Sequence, residues 1–531
     1  MKIVIADALP DSSSELFLNN GWEVDAETGR PIEQLKLALS NADALMVRSA
    51  TKVTTELISA APNLKVIARA GTGVDNVDLQ EASRQGILVV NAPGVNSISV
   101  AEHTFALILT VARSIARADF TMKEGRWEKK SFQGTELRGK TLGVIGLGRI
   151  GQEVVRRARA FEMNVVAYDP YISEQVAKGL RTELLSLDQV CQQSDFITLH
   201  IPSTSGTENL FNKNRFDQCK QGVCIINTAR GSLIDQEALF DAIKSEQVAG
   251  AGLDVFPTEP PTHEKLVRLP QVVATPHIAA STKEAQELVG IETATCVHDF
   301  LTNGIVRNAV NFPSVSPEEF SQLQPYSALA EQLGDCLAQL ASDPIKGIGI
   351  RYYGELAGTN HDILVGAVLV GLFRSSLSST VSLVNARSIA EQRGIEIIES
   401  HSSRPRNYTS LISLKLITDS GERWAEGAVF EPGEPRLVLL DGVEVEIPLS
   451  GSLVVIRNDD QPGVIGEVGS IFGDHNLNIA TFALGRGRAG AIGIVNIQTN
   501  GDEPNLEVDN KLLKALRDIK AVQQVDLVKL K

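Results

Sequence analysis

A chain of 531 residues, of which 43% are hydrophobic and 22% charged, is too long for a single hydrophobic core and predicts roughly three or four domains. The formal net charge of −15 argues against a nucleic-acid partner, because no run of lysine and arginine is long enough to neutralise a polyanion. The five cysteines form no CxxC pair and have no metal-ligand spacing, so we expect free thiols, no metal site and a reducing compartment.

The start of the chain, MKIVIADAL, is strand-like and has neither the apolar segment of a signal peptide nor the serine-rich composition of a transit peptide. The longest apolar stretch, residues 363–373, is far too short to span a membrane. We therefore expect a cytoplasmic protein without a membrane segment.

The first part of the chain predicts two successive α/β units. Residues 1–95 alternate polar amphipathic stretches with the β-rich runs KIVIAD, ALMVRS, KVIARAG and ILVVNAP, which indicates βαβ units and a parallel sheet. Behind Asn96 and Ser97, apolar residues recur at helical spacing and predict a long helix that leads into a second domain. From residue 141, six strand-like runs alternate with helical segments, as in a doubly wound nucleotide-binding sheet.

Two further units follow. Residues 312–451 combine helical runs with the hairpin-like LVLLDGVEVEI and predict a separate α+β domain. Residues 452–531 follow the order strand, helix, strand, strand, helix, strand, which is the βαββαβ order of ferredoxin-like domains.

The segment VIGLGRIG has the outline of a dinucleotide-binding turn between a strand and a helix. In it, Gly146 permits the tight turn, Gly148 lets the backbone approach a pyrophosphate, and Gly151 lets the helix pack closely on the strand. Asp169, which ends the next apolar run, can bind the ribose hydroxyls and would repel a 2′-phosphate. NAD is therefore predicted as the cofactor, in preference to NADP.

A second glycine pair occurs in GTGVDNVD, residues 71–78, which has no third glycine and no acidic residue at the end of a following strand. We interpret it as a backbone loop, whose N–H groups can still face a carboxylate.

Three residues supply what the oxidation of a 2-hydroxy acid requires: a base, a partner that holds the base, and a cation for the carboxylate. Arg230 ends NTAR at a strand terminus, and its guanidinium can grip a carboxylate at two points, although a surface ion pair is the alternative. His277 follows another strand, and Glu259 lies in the preceding loop, where its carboxylate can fix the imidazole tautomer. The other histidines considered, His103, His200 and His475, are interpreted as packed or surface residues.

Several of these segments resemble the D-isomer-specific 2-hydroxyacid dehydrogenases over most of residues 1–311. The motifs that carry the resemblance are RAGTGVDNVD, NSISVAEHTFALILTVAR, LRGKTLGVIGLGRIG, NTARGSLID, LDVFPTEP and TPHIAAST. Within that family, the whole chain is similar to the long subfamily that adds an intervening domain and a C-terminal ACT domain.

The resemblance implies an α/β fold in which a doubly wound Rossmann NAD domain is inserted in a flavodoxin-like substrate domain. An α+β intervening domain, similar to allosteric substrate-binding domains, and a βαββαβ ACT domain would follow. The implied ranges are 1–97 with 282–311 for the substrate domain, 98–281 for the NAD domain, 312–451 for the intervening domain and 452–531 for the ACT domain.

The resemblance also implies site residues. Arg230 would be the carboxylate clamp, Glu259 the histidine partner and His277 the acid/base. Arg48 and Arg69 match basic positions that would bind a substrate phosphate, and Lys129 would contribute from a neighbouring subunit. The implied cofactor contacts are Thr72, Arg149, Ile150, Asp169, Ile201, Thr228, Asp254 and the backbone near Ala279.

The implied reaction is the NAD-dependent oxidation of 3-phospho-D-glycerate to 3-phosphohydroxypyruvate, the first committed step of L-serine biosynthesis, in a homo-oligomer that is a dimer or a tetramer. One alternative is another family member, such as a hydroxypyruvate or glyoxylate reductase, which would normally lack residues 312–531. The other is a corepressor-like NAD-sensing binding protein, whose extension is usually disordered.

The ACT-like segment predicts a regulatory site for L-serine. Gly463, in NDDQPGVIGEVG, permits a sharp bend into a helix start whose free N–H groups can receive a carboxylate, and Asp460 can pair with an ammonium group. Asn478, on the following strand, would be supplied across a dimer interface. At position 458, where ACT domains more usually have a histidine, the chain has Asn458. The alternative to a serine site is that the segment is a purely structural dimerisation module.

Overall fold

The computed structural model describes residues 1–262, 264–313, 317–341, 343–359, 361–374, 381–430, 433–487, 490–497, 508 and 510–530. Within these residues, the strands pair into four sheets.

The first sheet is built by the start of the chain. Its strands are β1 (Lys2–Ile5), β2 (Glu23–Asp25), β3 (Ala44–Val47), β4 (Val66–Arg69) and β5 (Leu88–Asn91). The helices beside them are α1 (Ser12–Asn19), α2 (Ile32–Leu39), α3 (Thr55–Ser59) and α4 (Leu79–Arg84). All strands are parallel in the order β2-β1-β3-β4-β5, which is the flavodoxin-like order. All residues of β3 are buried, as expected for a parallel sheet that is covered on both faces.

The second sheet follows helix α5 (Ser97–Arg113) and helix α6 (Ile115–Lys123). Its strands are β6 (Thr141–Ile145), β7 (Asn164–Tyr168), β8 (Glu183–Leu184), β9 (Phe196–Leu199), β10 (Val223–Asn227), β11 (Val248–Leu253) and β12 (Val272–Ala274). Its helices are α7 (Arg149–Ala160), α8 (Glu174–Gly179), α9 (Leu187–Gln193), α10 (Lys213–Gln218), α11 (Gln236–Lys244) and α12 (Glu264–Val267).

This sheet is parallel in the order β12-β11-β10-β9-β6-β7-β8, so the predicted doubly wound arrangement is confirmed. The described residues form seven strands here, whereas the sequence predicts six. The additional strand is β8, whose two residues pair with the edge of β7 and are too few to show any periodicity.

Helix α5 packs against α7 and the second sheet. Among the described residues, no single helix has the length and apolar composition needed to cross a membrane. Only α5 and α6 taken together meet that test, and they are bent by 67° where they join.

After the second sheet, the chain returns to the first through helix α13 (Lys283–Asn303). This helix packs against α1 and β4. The residues beyond it also join the first sheet, because Ala309 bridges to Val90 and the side chain of Asn311 hydrogen-bonds both the N–H of Val89 and the carbonyl of Ile87.

The third sheet is mixed. It is preceded by α14 (Pro317–Leu340) and accompanied by α15 (Asp362–Arg374) and α16 (Ala386–Gln392). Its strands are β13 (Ile345–Gly354), β14 (Glu396–Ser402), β15 (Ser410–Thr418), β16 (Gly421–Phe430), β17 (Glu434–Leu440) and β18 (Val443–Pro448). The order is β14-β13-β15-β16-β17-β18, with only β13 and β14 parallel, and the predicted hairpin forms between β17 and β18.

The fourth sheet is antiparallel. Its elements are β19 (Ser452–Asn458), α17 (Val464–Asp474), β20 (Ile479–Gly487), β21 (Gly490–Ile497), α18 (Asn510–Arg517) and β22 (Val522–Lys529). The order β20-β21-β19-β22 confirms the ferredoxin-like prediction. One face packs on α17 and α18, and the other shares a core with the third sheet and α14 through residues such as Leu453 and Ile494. The exact domain boundaries stay a prediction.

Candidate active site

The glycine turn lies between the end of β6 and the start of α7. Gly146 has φ +98°, and a side chain there would approach the carbonyl oxygen of His200 to 2.6 Å. A side chain at Gly151 would lie 2.0 Å from the carbonyl oxygen of Gly146, so helix and turn are in close contact. At Gly148, by contrast, no heavy atom of the described residues, apart from its own neighbours in the chain, lies within 4 Å of the position that a Cβ would take. This open space adjoins the N-terminus of α7, where backbone N–H groups lack helical partners, and it fits a pyrophosphate.

Asp169 directly follows β7 and faces this turn. Its Oδ2 accepts a hydrogen bond from the N–H of Leu147 at 2.8 Å, and its Oδ1 accepts one from the N–H of Tyr171 at 2.9 Å. The carboxylate is therefore held beside the glycine turn, which fits the predicted contact with an adenosine ribose.

The remaining predicted cofactor residues come from both sheets. Ile201 follows β9 and lies against Gly146, and Thr228 follows β10, with its Oγ1 3.0 Å from Oγ1 of Thr104. From the first sheet, Thr72 Oγ1 donates to Asn96 Oδ1 at 3.2 Å. Ile150 is half-buried near the start of α7. The guanidinium of the neighbouring Arg149 donates to the carbonyl of Pro93, so that its side chain links the start of α7 to the segment after β5.

Asp254 is fully buried behind the loop that carries His277. Its carboxylate accepts hydrogen bonds from Thr275 Oγ1 at 2.5 Å and from the N–H groups of Ile278 and Ala279 at 2.9 and 2.8 Å. His103 Nε2, on α5, lies 3.4 Å from the same carboxylate. Burial opposes ionisation, but His103 and these hydrogen bonds outweigh it and lower the pKa of Asp254. The hydrogen bonds of Asp254 thus hold the loop that carries His277 in place.

His277 and Glu259 form a direct pair. His277 Nδ1 lies 2.7 Å from Glu259 Oε2, and Glu259 Oε1 accepts a hydrogen bond from the N–H of Phe256 at 3.1 Å. Since a carboxylate only accepts hydrogen bonds, the pair assigns the proton to Nδ1 and leaves a lone pair on Nε2. No residue in the described part of the chain hydrogen-bonds Nε2, and the side chain is half-exposed, so Nε2 is available to a ligand.

Three guanidinium groups gather where strands of both sheets end. Arg48 follows β3, Arg69 is the last residue of β4, and Arg230 lies three residues beyond the end of β10. Arg69 is largely buried, and its Nε has no hydrogen-bond partner among the residues that the structure describes. Burial, together with the neighbouring charge of Arg230, lowers the pKa of Arg69. A cluster of this kind fits a ligand with more than one negative charge.

Arg230 is also adjacent to the His277 pair. The position of a Cβ at Gly231 would lie 1.9 Å from the carbonyl carbon of Phe256, the residue whose N–H binds Glu259. The structure thus brings Arg230, Glu259 and His277 to one region. By contrast, no contact in the described residues joins Lys129 to the guanidinium cluster, and it is exposed at the start of the short 3-10 helix Lys129–Ser131.

Sequence reasoning misses two contacts of this site. His103 is predicted as a packed or surface residue, and it is packed, but against Asp254 and Thr275. The GTGVDNVD loop is predicted to act mainly through its backbone, whereas its Asp75 lies 3.2 Å from Arg230 Nε. The helical spacing around His103 gives no signal of its contact with Asp254, and the glycine pair gives no signal of the contact between Asp75 and Arg230. The interpretation of His200 as a packed residue fits, since the residue is half-buried, its Nδ1 is enclosed, and desolvation of the ring lowers its pKa to about 3.

A separate pocket of about 330 Å³ lies in the fourth sheet, beside the start of α17. Gly463 precedes that helix with φ +99°. Asp460 lines the pocket, but its carboxylate is already paired with Arg486, whose Nε lies 3.0 Å from both oxygens. Asn478 is exposed and precedes β20 instead of lying on it, because strand pairing begins at Ile479. It is therefore at the opposite end of β20 from Arg486.

Comparisons with known proteins match three parts of the chain. Residues 105–279 match the D-isomer specific 2-hydroxyacid dehydrogenase NAD binding domain, residues 322–441 the D-3-phosphoglycerate dehydrogenase intervening domain, and residues 452–518 the ACT domain. The predicted NAD cofactor and family resemblance are thereby confirmed.

Full-length relatives extend this result. D-3-phosphoglycerate dehydrogenase of Archaeoglobus fulgidus is 42% identical over 97% of this chain and 98% of its own, and that of Methanocaldococcus jannaschii is 40% identical over 99% and 100%. The apo-structure of D-lactate dehydrogenase from Escherichia coli is 28% identical, with a TM-score of 0.52, and covers 58% of this chain and 100% of that chain. The chain therefore belongs to the D-3-phosphoglycerate dehydrogenase family, in the long form that carries an intervening domain and an ACT domain.

Proposed function

We propose that the chain oxidises 3-phospho-D-glycerate to 3-phosphohydroxypyruvate with NAD, as the first committed step of L-serine biosynthesis. The observation that carries the proposal is the position of the His277–Glu259 pair beside a cluster of three guanidinium groups. A base and a polycationic pocket together suit a hydroxy acid that bears both a carboxylate and a phosphate.

Each residue has one task in the proposed mechanism. Arg230 binds the substrate carboxylate, and Arg48 and Arg69 bind the phosphate, so that C2 lies near His277. His277 Nε2 takes the proton of the C2 hydroxyl as the C2–O bond becomes a carbonyl. Glu259 stabilises the resulting imidazolium through Nδ1. The glycine turn and Asp169 would hold NAD, whose nicotinamide would supply the acceptor for the hydride that leaves C2. In the reverse direction His277 returns the proton.

The two alternative functions have less support. A hydroxypyruvate or glyoxylate reductase would need Arg230, Glu259 and His277 equally, but it would not account for the match of residues 322–441 to the intervening domain. A corepressor-like protein with a disordered extension does not suit a chain whose later part forms two further sheets within the described residues.

We further propose that L-serine binds in the pocket beside α17 and regulates the enzyme. Its carboxylate would be received at the helix start after Gly463, and its ammonium group by Asp460. Arg486 would have to leave Asp460 for this to happen, because it now occupies both carboxylate oxygens. Asn478 would act from a second subunit, as its distance from Asp460 along β20 requires.

The proposal includes a homo-oligomer, either a dimer or a tetramer, in the cytoplasm. Support for an interface comes from the apolar side chains on and after α6, where Ile115, Phe120, Met122 and Trp127 are all at least half exposed. All five cysteines are free, which suits a reducing compartment.

Isotope transfer tests the proposed reaction. With 3-phosphoglycerate that carries deuterium at C2, the protein should form NADH that is heavier by one mass unit. Unlabelled NADH from this substrate would contradict direct hydride transfer from C2, and the His277→Ala variant serves as the control for enzyme-dependent turnover.

A further inference from the structure

The GTGVD loop, residues 71–75, is shaped around two arginine side chains. A Cβ at Gly71 would lie 1.5 Å from Nη1 of Arg69, and a Cβ at Gly73 would lie 1.9 Å from Nη2 of Arg230. Any side chain at these positions would therefore displace a guanidinium. The loop is part of the basic cluster, and its glycines are needed for the room they leave.

The guanidinium of Arg230 is held on two sides. Nη1 donates to the carbonyl of its neighbour Ala229 at 2.7 Å, and Nε lies 3.2 Å from Asp75 Oδ2. The backbone is fixed as well, because Asn227 Nδ2 donates to the carbonyl of Arg230 at 2.8 Å. Nη2, which lies over Gly73, donates to no residue in the described part of the chain, and Nη1 keeps a second hydrogen, so both Nη atoms can still donate to a ligand.

Asp75 differs from the other carboxylate near the cluster. Asp7 is buried, and it accepts hydrogen bonds from the N–H of Arg48 and from Thr51, so it holds the backbone of the segment that follows β3. The side chain of Asp75 is 72% exposed and contacts Arg230 at Nε. Because this carboxylate contacts a member of the cationic cluster, it can alter anion binding there, either by its charge or by its hold on Arg230.

Two roles for Asp75 predict opposite results. As a mere counter-charge, it would weaken the binding of every anion, so its removal would strengthen all of them. As a support for Arg230, it would hold the guanidinium so that the Nη edge faces the ligand, and its removal would weaken carboxylate binding alone. The contact at Nε favours the second role, because it occupies only the side of the guanidinium and leaves hydrogens on both Nη atoms for a carboxylate.

We propose that Asp75 is a positioning residue that orients the Arg230 guanidinium toward the substrate carboxylate. The inference rests on the proposed carboxylate-binding role of Arg230. In this loop, Gly71 and Gly73 leave room for the side chains of Arg69 and Arg230. Asp75 sets the orientation of the Arg230 guanidinium.

Two small inhibitors separate the parts of the site. Oxamate carries only the carboxylate and inorganic phosphate only the phosphate, and each is measured as a competitor of 3-phosphoglycerate. In Asp75→Asn, the inhibition constant of oxamate should rise at least about 5-fold, the scale of one ordinary hydrogen bond, while that of phosphate stays within about 2-fold. The Michaelis constant for the phosphorylated substrate should rise together with the oxamate constant, with a smaller change in kcat.

Control variants make the test specific. Asp11→Asn removes the same charge from an exposed position of the same domain, where Asp11 makes no side-chain cap hydrogen bond, and it should leave both constants unchanged. Asp75→Glu keeps the charge and should recover part of the oxamate affinity. Thermal melting and NAD affinity report whether each variant is folded, and Asp75→Glu carries the test if Asp75→Asn does not fold.

An unchanged or tighter oxamate constant in Asp75→Asn would overturn the inference, as would equal weakening of oxamate and phosphate. The Arg230→Lys variant distinguishes a failure of the role proposed for Asp75 from a failure of the proposed function. If Arg230→Lys leaves oxamate binding unchanged, the carboxylate role of Arg230 itself is wrong. If Arg230→Lys weakens oxamate but Asp75→Asn does not, only the role of Asp75 is wrong.

Discussion

His277 Nδ1 lies 2.7 Å from Glu259 Oε2, and the backbone of His277 has φ +54°, a left-handed conformation that is uncommon for a residue with a side chain. Asp254 holds this conformation, since its carbonyl accepts the N–H of His277 at 2.9 Å and its carboxylate binds the next two N–H groups. Two carboxylate residues therefore orient the imidazole of His277: Glu259 binds the ring, and Asp254 holds the backbone.

Replacement of His277 by alanine should lower kcat at least ~100-fold, the usual effect of losing a general acid/base. The affinity for NAD, measured by fluorescence or calorimetry, should change little, because the glycine turn and Asp169 are elsewhere. Glu259→Gln should lower kcat less, since Nε2 is kept. Near-normal turnover in His277→Ala would remove this residue from the mechanism.

The carboxylate of Asp169 should set the preference for NAD over NADP. Asp169→Ala is expected to narrow the NAD/NADP ratio of kcat/KM, because the charge that repels a 2′-phosphate is gone. Asp169→Asn is the matched variant, since it also loses the charge but keeps an oxygen that can accept the N–H of Leu147. A ratio that stays the same in both variants would count against this role.

The lowered pKa of Asp254 predicts a pH-dependent stability. Because its folded pKa lies below the ordinary value, ionised Asp254 stabilises the fold fully above the unfolded pKa of about 3.9, and this contribution is lost as the pH falls through the folded pKa. The Tm deficit of Asp254→Asn relative to the wild type should therefore be constant from neutral pH to about pH 5 and shrink in stronger acid. A deficit that grows on acidification would contradict the assignment.

L-serine should bind the wild-type protein in calorimetry and inhibit its activity, and Asp460→Ala should lose both effects while unregulated turnover persists. Arg486→Ala provides a contrast, because it frees the Asp460 carboxylate from its present partner and should leave serine binding intact or strengthen it. Absence of serine binding to the wild type at millimolar concentration would refute the regulatory proposal.

Much of the architecture is predictable because it depends on patterns within short segments. The glycine turn, the alternation of strands with helices and the βαββαβ order of the last unit are each local, and they lead to the correct sheet orders. Strand β8 is not predicted, because its two residues are too few to show a periodic pattern. The start of β20 is predicted one residue too early, because the first paired residue is set by the partner strand β21.

The contacts missed at the sites join residues that are distant in the chain or lie in segments with no regular pattern. His103 meets Asp254 only because α5 packs on the second sheet, and Asp75 meets Arg230 only because the segments that follow β4 and β10 approach each other. The sequence predicts Asp460 to be available to an ammonium group, and only the pairing of β20 with β21 brings Arg486 beside it. The spacing of these residues along the sequence gives no sign of any of these contacts.

The most direct test of the proposed function compares the kcat/KM values of D-glycerate, D-lactate and 3-phospho-D-glycerate with NAD, in the wild type and in Arg48→Ala. We predict that NADH forms fastest with 3-phospho-D-glycerate, by at least about 10-fold in kcat/KM, and that Arg48→Ala removes most of this advantage, because the phosphate contact exists only for that substrate. Equal kcat/KM values for the phosphorylated and unphosphorylated acids in the wild type, or no NADH from 3-phospho-D-glycerate, would contradict the proposed function.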